Sequence, residues 1–240
     1  MTPLVLVHGF MGGSAQWDGC LQNLQYISEV IAIDLPGYGD NNTTQPLDSI
    51  VENANWVINY LKILGVTQYH LLGHSMGGMI VQEMAVRDSK AVRRLILYAT
   101  GALGELPDRF ESIDESKRRA NLDGAKATAR RISATWFLKY ETAKGYDHCA
   151  AIAQKSSLKV IHSGLTAMQT WSGLANLQNI RQETLVLWGD QDRTYPWDQI
   201  YRLWSKIPNT SLAVIPNCSH ALHAENPAMF ETFLNTFLVE

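Results

Sequence analysis

The chain has 240 residues, of which 46% are hydrophobic and 18% charged, with a formal net charge of −3. This profile excludes a disordered chain and offers no basic surface for nucleic acid, and the length fits one domain with at most an insertion. The apolar start, Leu4–Val7, lacks the basic flank and length of a signal peptide, and no apolar run nears the roughly 20 residues that span a bilayer. A soluble, cytoplasmic protein without a membrane partner is therefore expected.

Six short runs rich in Val, Ile and Leu follow one another: Leu4–Val7, Val30–Ile33, Tyr69–Leu72, Leu95–Tyr98, Thr184–Trp188 and Leu212–Ile215. Several are apolar at consecutive positions, the pattern of strands covered on both faces. Ser49 to Leu64 carries Ile50, Ala54, Val57, Ile58 and Leu61 on one helical face and stops at Gly65, and Met76 to Val86 is also helix-compatible. Asn226-Pro227 forms a cap and first-turn signal for a terminal helix carrying Phe230, Leu234 and Phe237. Alternating strands and helices predict an α/β fold with a parallel, doubly wound sheet.

About 80 residues separate the fourth run from the fifth, more than a crossover needs, which predicts a helical insertion. The division is thus 1–100 and 181–240 for the core and 101–180 for the insertion, with helical candidates at Glu115–Leu138, near Cys149–Gln154, and at Leu165–Leu177. Residues 101–180 hold 11 Lys/Arg against 8 Asp/Glu, an excess that a solvated helix face explains more readily than an anionic substrate does. Cys20, Cys149 and Cys218 form no metal or disulfide spacing, so no metal is expected.

Gly73-His74-Ser75-Met76-Gly77 has the Gly-x-Ser-x-Gly form between an apolar strand and a helix-compatible run. Such a turn raises the serine hydroxyl above the sheet and sets the helix N-terminus beside it, where N–H groups stabilise a developing oxyanion. A serine hydroxyl needs a histidine base oriented by a carboxylate, and reacting groups gather at the carboxyl ends of parallel strands. Asp192, in Gly189-Asp190-Gln191-Asp192, and His220, after Leu212–Ile215, meet both conditions. Asp190 and His223 remain as alternatives, the first suited to holding the turn and the second to packing near the terminal helix. Backbone N–H groups of Met76 and of Phe10, in His8-Gly9-Phe10, are the oxyanion candidates. Trp17, Phe110, Trp136, Phe137, Trp171, Tyr195 and Trp197 are candidates for an apolar pocket, with Trp17, Trp136, Trp171 and Tyr195 assigned to substrate binding.

The set His8-Gly9-Phe10, Asp34-Leu-Pro-Gly-Tyr-Gly39, Gly73-His-Ser-Met-Gly-Gly78, Trp188-Gly-Asp-Gln-Asp192 and Ser219-His220 resembles the α/β-hydrolase superfamily across the whole chain. The resemblance implies a helical cap over the active site and no cofactor. Members usually carry two further strands before the His-Gly strand, so a six-stranded, wholly parallel sheet is expected. Serine at position 75 departs from the aspartate of similar dehalogenases and epoxide hydrolases. The chain looks most like small carboxylesterases and lactonases, enol-lactone hydrolases included, which implies an ester or lactone substrate and a monomer or homodimer. His220 to Pro227 also resembles the ending of the menaquinone-pathway synthase that eliminates pyruvate, whose family usually has tyrosine where His74 stands. Carbon–carbon bond hydrolases and cofactor-free perhydrolases follow. A small-molecule receptor on the same fold is the alternative of another class.

Overall fold

A computed structural model of the chain describes residues 1–24, 27–107 and 111–239. Its centre is a six-stranded sheet in the order β2-β1-β3-β4-β5-β6, with every neighbouring pair parallel. The strands are β1 (Thr2–Val7), β2 (Ile27–Ile33), β3 (Tyr69–His74), β4 (Val92–Tyr98), β5 (Glu183–Gly189) and β6 (Thr210–Ile215). The expected sheet is found.

The period of two along each strand divides the apolar residues between the two faces. Val5, Val7, Leu71, Leu95 and Leu97 pack on one side against α1 (Ile50–Ile63) and α2 (Met76–Arg87). Leu4, Leu6, Leu72, Ile96 and Tyr98 pack on the other, beneath Phe230, Leu234 and Leu238. Those three belong to α9 (Pro227–Leu238), whose first turn is capped by Asn226 accepting from Met229 N–H. Ser49 caps α1 in the same way, accepting from Glu52 N–H.

Between β4 and β5 run α3 (Ile113–Asp123), α4 (Ala125–Ala134), α5 (Tyr146–Ala153) and α6 (Leu158–Gln169). The run expected at Glu115–Leu138 is broken at Gly124, whose φ of 78° ends α3 and starts α4 at a new angle. The run expected at Leu165–Leu177 begins earlier, where Ser157 accepts from Val160 N–H, and ends at Gln169 before a short 3₁₀ turn at Leu174–Asn179. The two ends of this helical layer are tied together: Gly104 N–H donates to Trp171 O at 3.2 Å and Gly173 N–H to Ala102 O at 2.9 Å.

Two further helices complete the chain: α7 (Trp197–Lys206), between β5 and β6, and the one-turn α8 (Leu222–Glu225). The helix at residues 197–206 is not among those the apolar pattern predicts. Along α7 the rings of Trp197, Tyr201 and Trp204 follow one another at centroid distances of 6.0 and 6.2 Å and are each about half exposed. No helix among the described residues is long and apolar enough to cross a membrane.

Candidate active site

The sheet order reverses between β1 and β3, the point at which chain ends fan apart and leave a crevice at the carboxyl edge. Ser75 lies there, immediately after β3 and before α2. Its φ of 56° and ψ of −120° are uncommon for any residue with a side chain. The turn is locked on three sides: Ser75 N–H donates to Tyr98 O at 3.0 Å, and Ser75 O accepts from Gly78 N–H at 2.8 Å and from Thr100 Oγ1 at 2.7 Å. It also demands a bare backbone behind it. A Cβ on Gly77 would lie 2.3 Å from Val7 O, so only glycine lets α2 start this close to β1.

His8-Gly9-Phe10 leaves the neighbouring strand β1 and closes on the same turn, with a Cβ built on Gly9 falling 2.9 Å from Ser75 Cβ. His8 holds this loop. Its Nε2 accepts from Leu35 N–H at 3.1 Å, which leaves Nδ1–H to donate to Gly9 O at 2.7 Å. Burial lowers the His8 pKa to about 4 and keeps the ring neutral, as that pattern requires. Phe10 lines the cavity above Ser75, and Met76 opens α2 with the unpaired N–H of a helix start.

Asp192 and His220 arrive from β5 and β6. His220 Nδ1 lies 3.0 Å from Asp192 Oδ2, and both side chains are shielded from solvent. The second carboxylate oxygen of Asp192 accepts from Thr194 N–H at 2.7 Å and Tyr195 N–H at 3.3 Å, so the carboxylate is fixed by three donors. Asp190 is exposed instead, and its side chain accepts from Cys218 N–H, a turn contact between the two loops. His223 faces away from the cavity: its Nδ1 is 2.8 Å from the Tyr98 hydroxyl, its ring packs on Trp17, and burial lowers its pKa to about 3.

Beneath His220 lies a layer that the sequence did not single out. His74 Nε2–H donates to His220 O at 3.1 Å, and the remaining His74 Nδ1 accepts from Gln16 Nε2 at 3.2 Å. The Tyr98 hydroxyl donates to the same His220 carbonyl at 3.2 Å and stacks its ring on His74 at 4.4 Å. Burial holds the His74 pKa well below the ordinary imidazole value. A neutral ring matters here because His74 and His220 lie 4.7 Å apart, and a charged His74 would oppose any positive charge on His220. The only sequence signal for this layer was the histidine inside the Gly-x-Ser-x-Gly motif.

Ser75, His220, Phe10, Trp136 and Tyr195 all line one cavity of about 560 Å³. Tyr195 stacks on the His220 ring at 5.8 Å. Trp17 and Trp171 do not line it. Trp17 is a core residue against Tyr98 and His223, and Trp171 is held under α2 by donating Nε1–H to Glu83 at 2.9 Å. Both sit where a large side chain fills space between layers, and size alone does not separate that role from pocket lining. Phe137 packs on Tyr146 in a small core of its own, and Trp197 lies on the α7 surface. Phe110 lies outside the described residues.

A family model described as the alpha/beta hydrolase fold matches residues 2–227. The 2-hydroxy-6-oxo-2,4-heptadienoate hydrolase of Pseudomonas putida is 28% identical over 99% of this chain and 89% of its own. The pimeloyl-[acyl-carrier protein] methyl ester esterase of Nitrosomonas europaea is 25% identical over 95% of this chain and 92% of its own. Among solved structures, the enol-lactonase from Burkholderia xenovorans LB400 superposes with a TM-score of 0.89, covering 100% of this chain and 92% of that one at 19% identity.

Proposed function

This chain belongs to the alpha/beta hydrolase family, and from that premise we propose that it is a serine hydrolase cleaving a carboxylic ester or lactone through an acyl-enzyme. The observation that carries the reading is that His220, fixed by Asp192 at Nδ1, lines one cavity with Ser75 on its strained strand-to-helix turn. In this mechanism His220 Nε2 takes the Ser75 hydroxyl proton as Oγ attacks the carbonyl carbon. The tetrahedral oxyanion is met by Phe10 and Met76 N–H. Its collapse breaks the acyl–oxygen bond, and the alkoxide leaves with the proton from His220. Water then adds to the acyl carbon as His220 takes its proton, and collapse returns that proton to Ser75 Oγ as the acid leaves. Asp192 keeps Nδ1–H of His220 oriented and offsets the charge of the imidazolium. Helices α3 to α6 act as the cap over this cavity.

A fluorophosphonate probe tests the reading directly. Wild type is labelled at Ser75, Ser75→Ala is not, and His220→Ala and Asp192→Asn are labelled at least about a hundredfold more slowly, whereas Asp190→Asn reacts as wild type does. Unlabelled wild type that also releases no p-nitrophenol from short esters would overturn the serine-esterase reading. Relatives named as hydrolases of 2-hydroxy-6-oxo-2,4-heptadienoate and of 2-hydroxymuconate semialdehyde favour a second reading, cleavage of a carbon–carbon bond, because such substrates contain no ester. Direct comparison of turnover on esters, lactones and such dienoates separates the two.

A further inference from the structure

The cap end of the catalytic cavity holds polar atoms that the proposed chemistry does not use. Its walls there are mostly apolar, with Leu106, Ile132, Ile161, Leu165 and Met168. Thr128 and Arg131 stand among them, one helical turn apart on α4 and so on one face. Thr128 is 3% exposed, and its hydroxyl has no hydrogen-bond partner among the described residues. Arg131 Nε is likewise buried and makes no hydrogen bond among the described residues. A buried hydroxyl or guanidinium N–H that makes no hydrogen bond is costly, and two of them on one face of a cavity-lining helix suit a ligand that satisfies both.

The charges narrow the ligand. Among the described residues two cationic side chains line the cavity, and one is already engaged: Arg193 donates to Phe137 O at 3.0 Å and Leu138 O at 3.3 Å and lies over the Tyr140 ring. Arg131 is the other. Asp123 Oδ2 stands 3.6 Å from its Nε, beyond hydrogen-bond length, and is shared with Arg119 at 3.5 Å, while Arg119 also pairs with Glu111. Asp198, on the cavity wall, disfavours a doubly charged group.

We propose that Arg131 and Thr128 form a subsite for a carboxylate at the end of the substrate remote from the bond that Ser75 attacks. The planar guanidinium matches two carboxylate oxygens and the Thr128 hydroxyl donates to one of them. This rests on the serine-hydrolase reading above and names its substrate class as half-esters or lactones bearing a free acid. The mild positive excess of residues 101–180 is then more than a solvated helix face at this one position.

Monomethyl esters of α,ω-diacids of increasing length, set against methyl esters of monocarboxylic acids of matched length, test it. Wild type turns over the half-ester of best length with a kcat/KM roughly tenfold or more above its neutral match, through a lower KM. Arg131→Gln brings that ratio close to one, Arg131→Lys recovers part of it, and Thr128→Val lowers it by about threefold. Calorimetry with Ser75→Ala reads the same preference without turnover. Equal KM values for the two ester series in wild type, or an equal rise for both in Arg131→Gln, would overturn the subsite while leaving the hydrolase reading intact. Selective binding of half-esters to Ser75→Ala without turnover by wild type would keep the subsite and remove the hydrolase reading. Absence of selective binding overturns the subsite in either case.

Discussion

Ser75 shows how one residue carries a local cost for position. Its φ of 56° places a side chain in a region that glycine occupies freely. Replacing Ser75 by glycine relieves that strain, offset in part by the greater freedom of glycine in the unfolded chain. The net expectation is a gain of about 1 kcal/mol in urea unfolding together with loss of fluorophosphonate labelling. A drop in stability would show that the turn is held without strain. His220 is fixed differently, by contacts on its side chain and on its backbone: Asp192 at Nδ1, His74 and Tyr98 at the carbonyl. The Gly-x-Ser-x-Gly motif made Ser75 recognisable and the position after β6 did so for His220, but neither showed that His74 donates to the His220 carbonyl from below.

At the scale of elements, the short segment after α4 is tied to both loops that bear the Asp192–His220 pair. Arg193 donates to the carbonyls of Phe137 and Leu138, and Ala221 N–H donates to Trp136 O at 3.0 Å. Glu225, on α8, accepts from Leu138 N–H at 2.7 Å and from Ser219 N–H at 2.6 Å, joining the segment after α4 to the residue before His220. Glu225→Ala removes two charge-assisted bonds and leaves two amides unpaired. It should cost about 2 kcal/mol in urea unfolding and lower kcat more than it raises KM. Glu225→Gln, which retains one acceptor, should recover part of both. The same scale explains the misplaced helix boundaries. The run Glu115–Leu138 is rich in Ala and Arg on either side of Gly124, and composition alone does not distinguish a tolerated glycine from one that turns the chain.

For the whole molecule, three neutral histidines set the acid limit of stability. His8, His74 and His223 are buried with pKa values below the 6.5 of an unfolded imidazole, about 4 for His8 and about 3 for His223. Below pH 6.5 the unfolded chain binds protons that the folded chain refuses, so stability is full above that pH and falls as the pH drops towards 4. Each such group contributes up to about 1.4 kcal/mol per pH unit to the slope in that window. Urea midpoints between pH 7 and 4.5 should fall accordingly, and His223→Gln should show a shallower fall than wild type. An unchanged slope would mean that His223 titrates alike in both states.

The sequence by itself determined the strands, the wholly parallel sheet, the Gly-x-Ser-x-Gly turn and the chain order Ser75, Asp192, His220. Each of these is written in local residue patterns, apolar runs and glycines at fixed offsets, that physical chemistry reads without knowing what lies across the sheet. Only the tertiary structure showed that Asp192 rather than Asp190 meets His220, placed Trp17 and Trp171 away from the cavity, and brought Thr128, Arg131 and Ser75 to one space. Those outcomes depend on which side chains meet across strands and layers far apart in the chain. The Asp192–His220 contact joins residues 28 apart, and the His74–His220 contact joins residues 146 apart. A composition excess or an aromatic residue carries no record of the direction in which its side chain finally points.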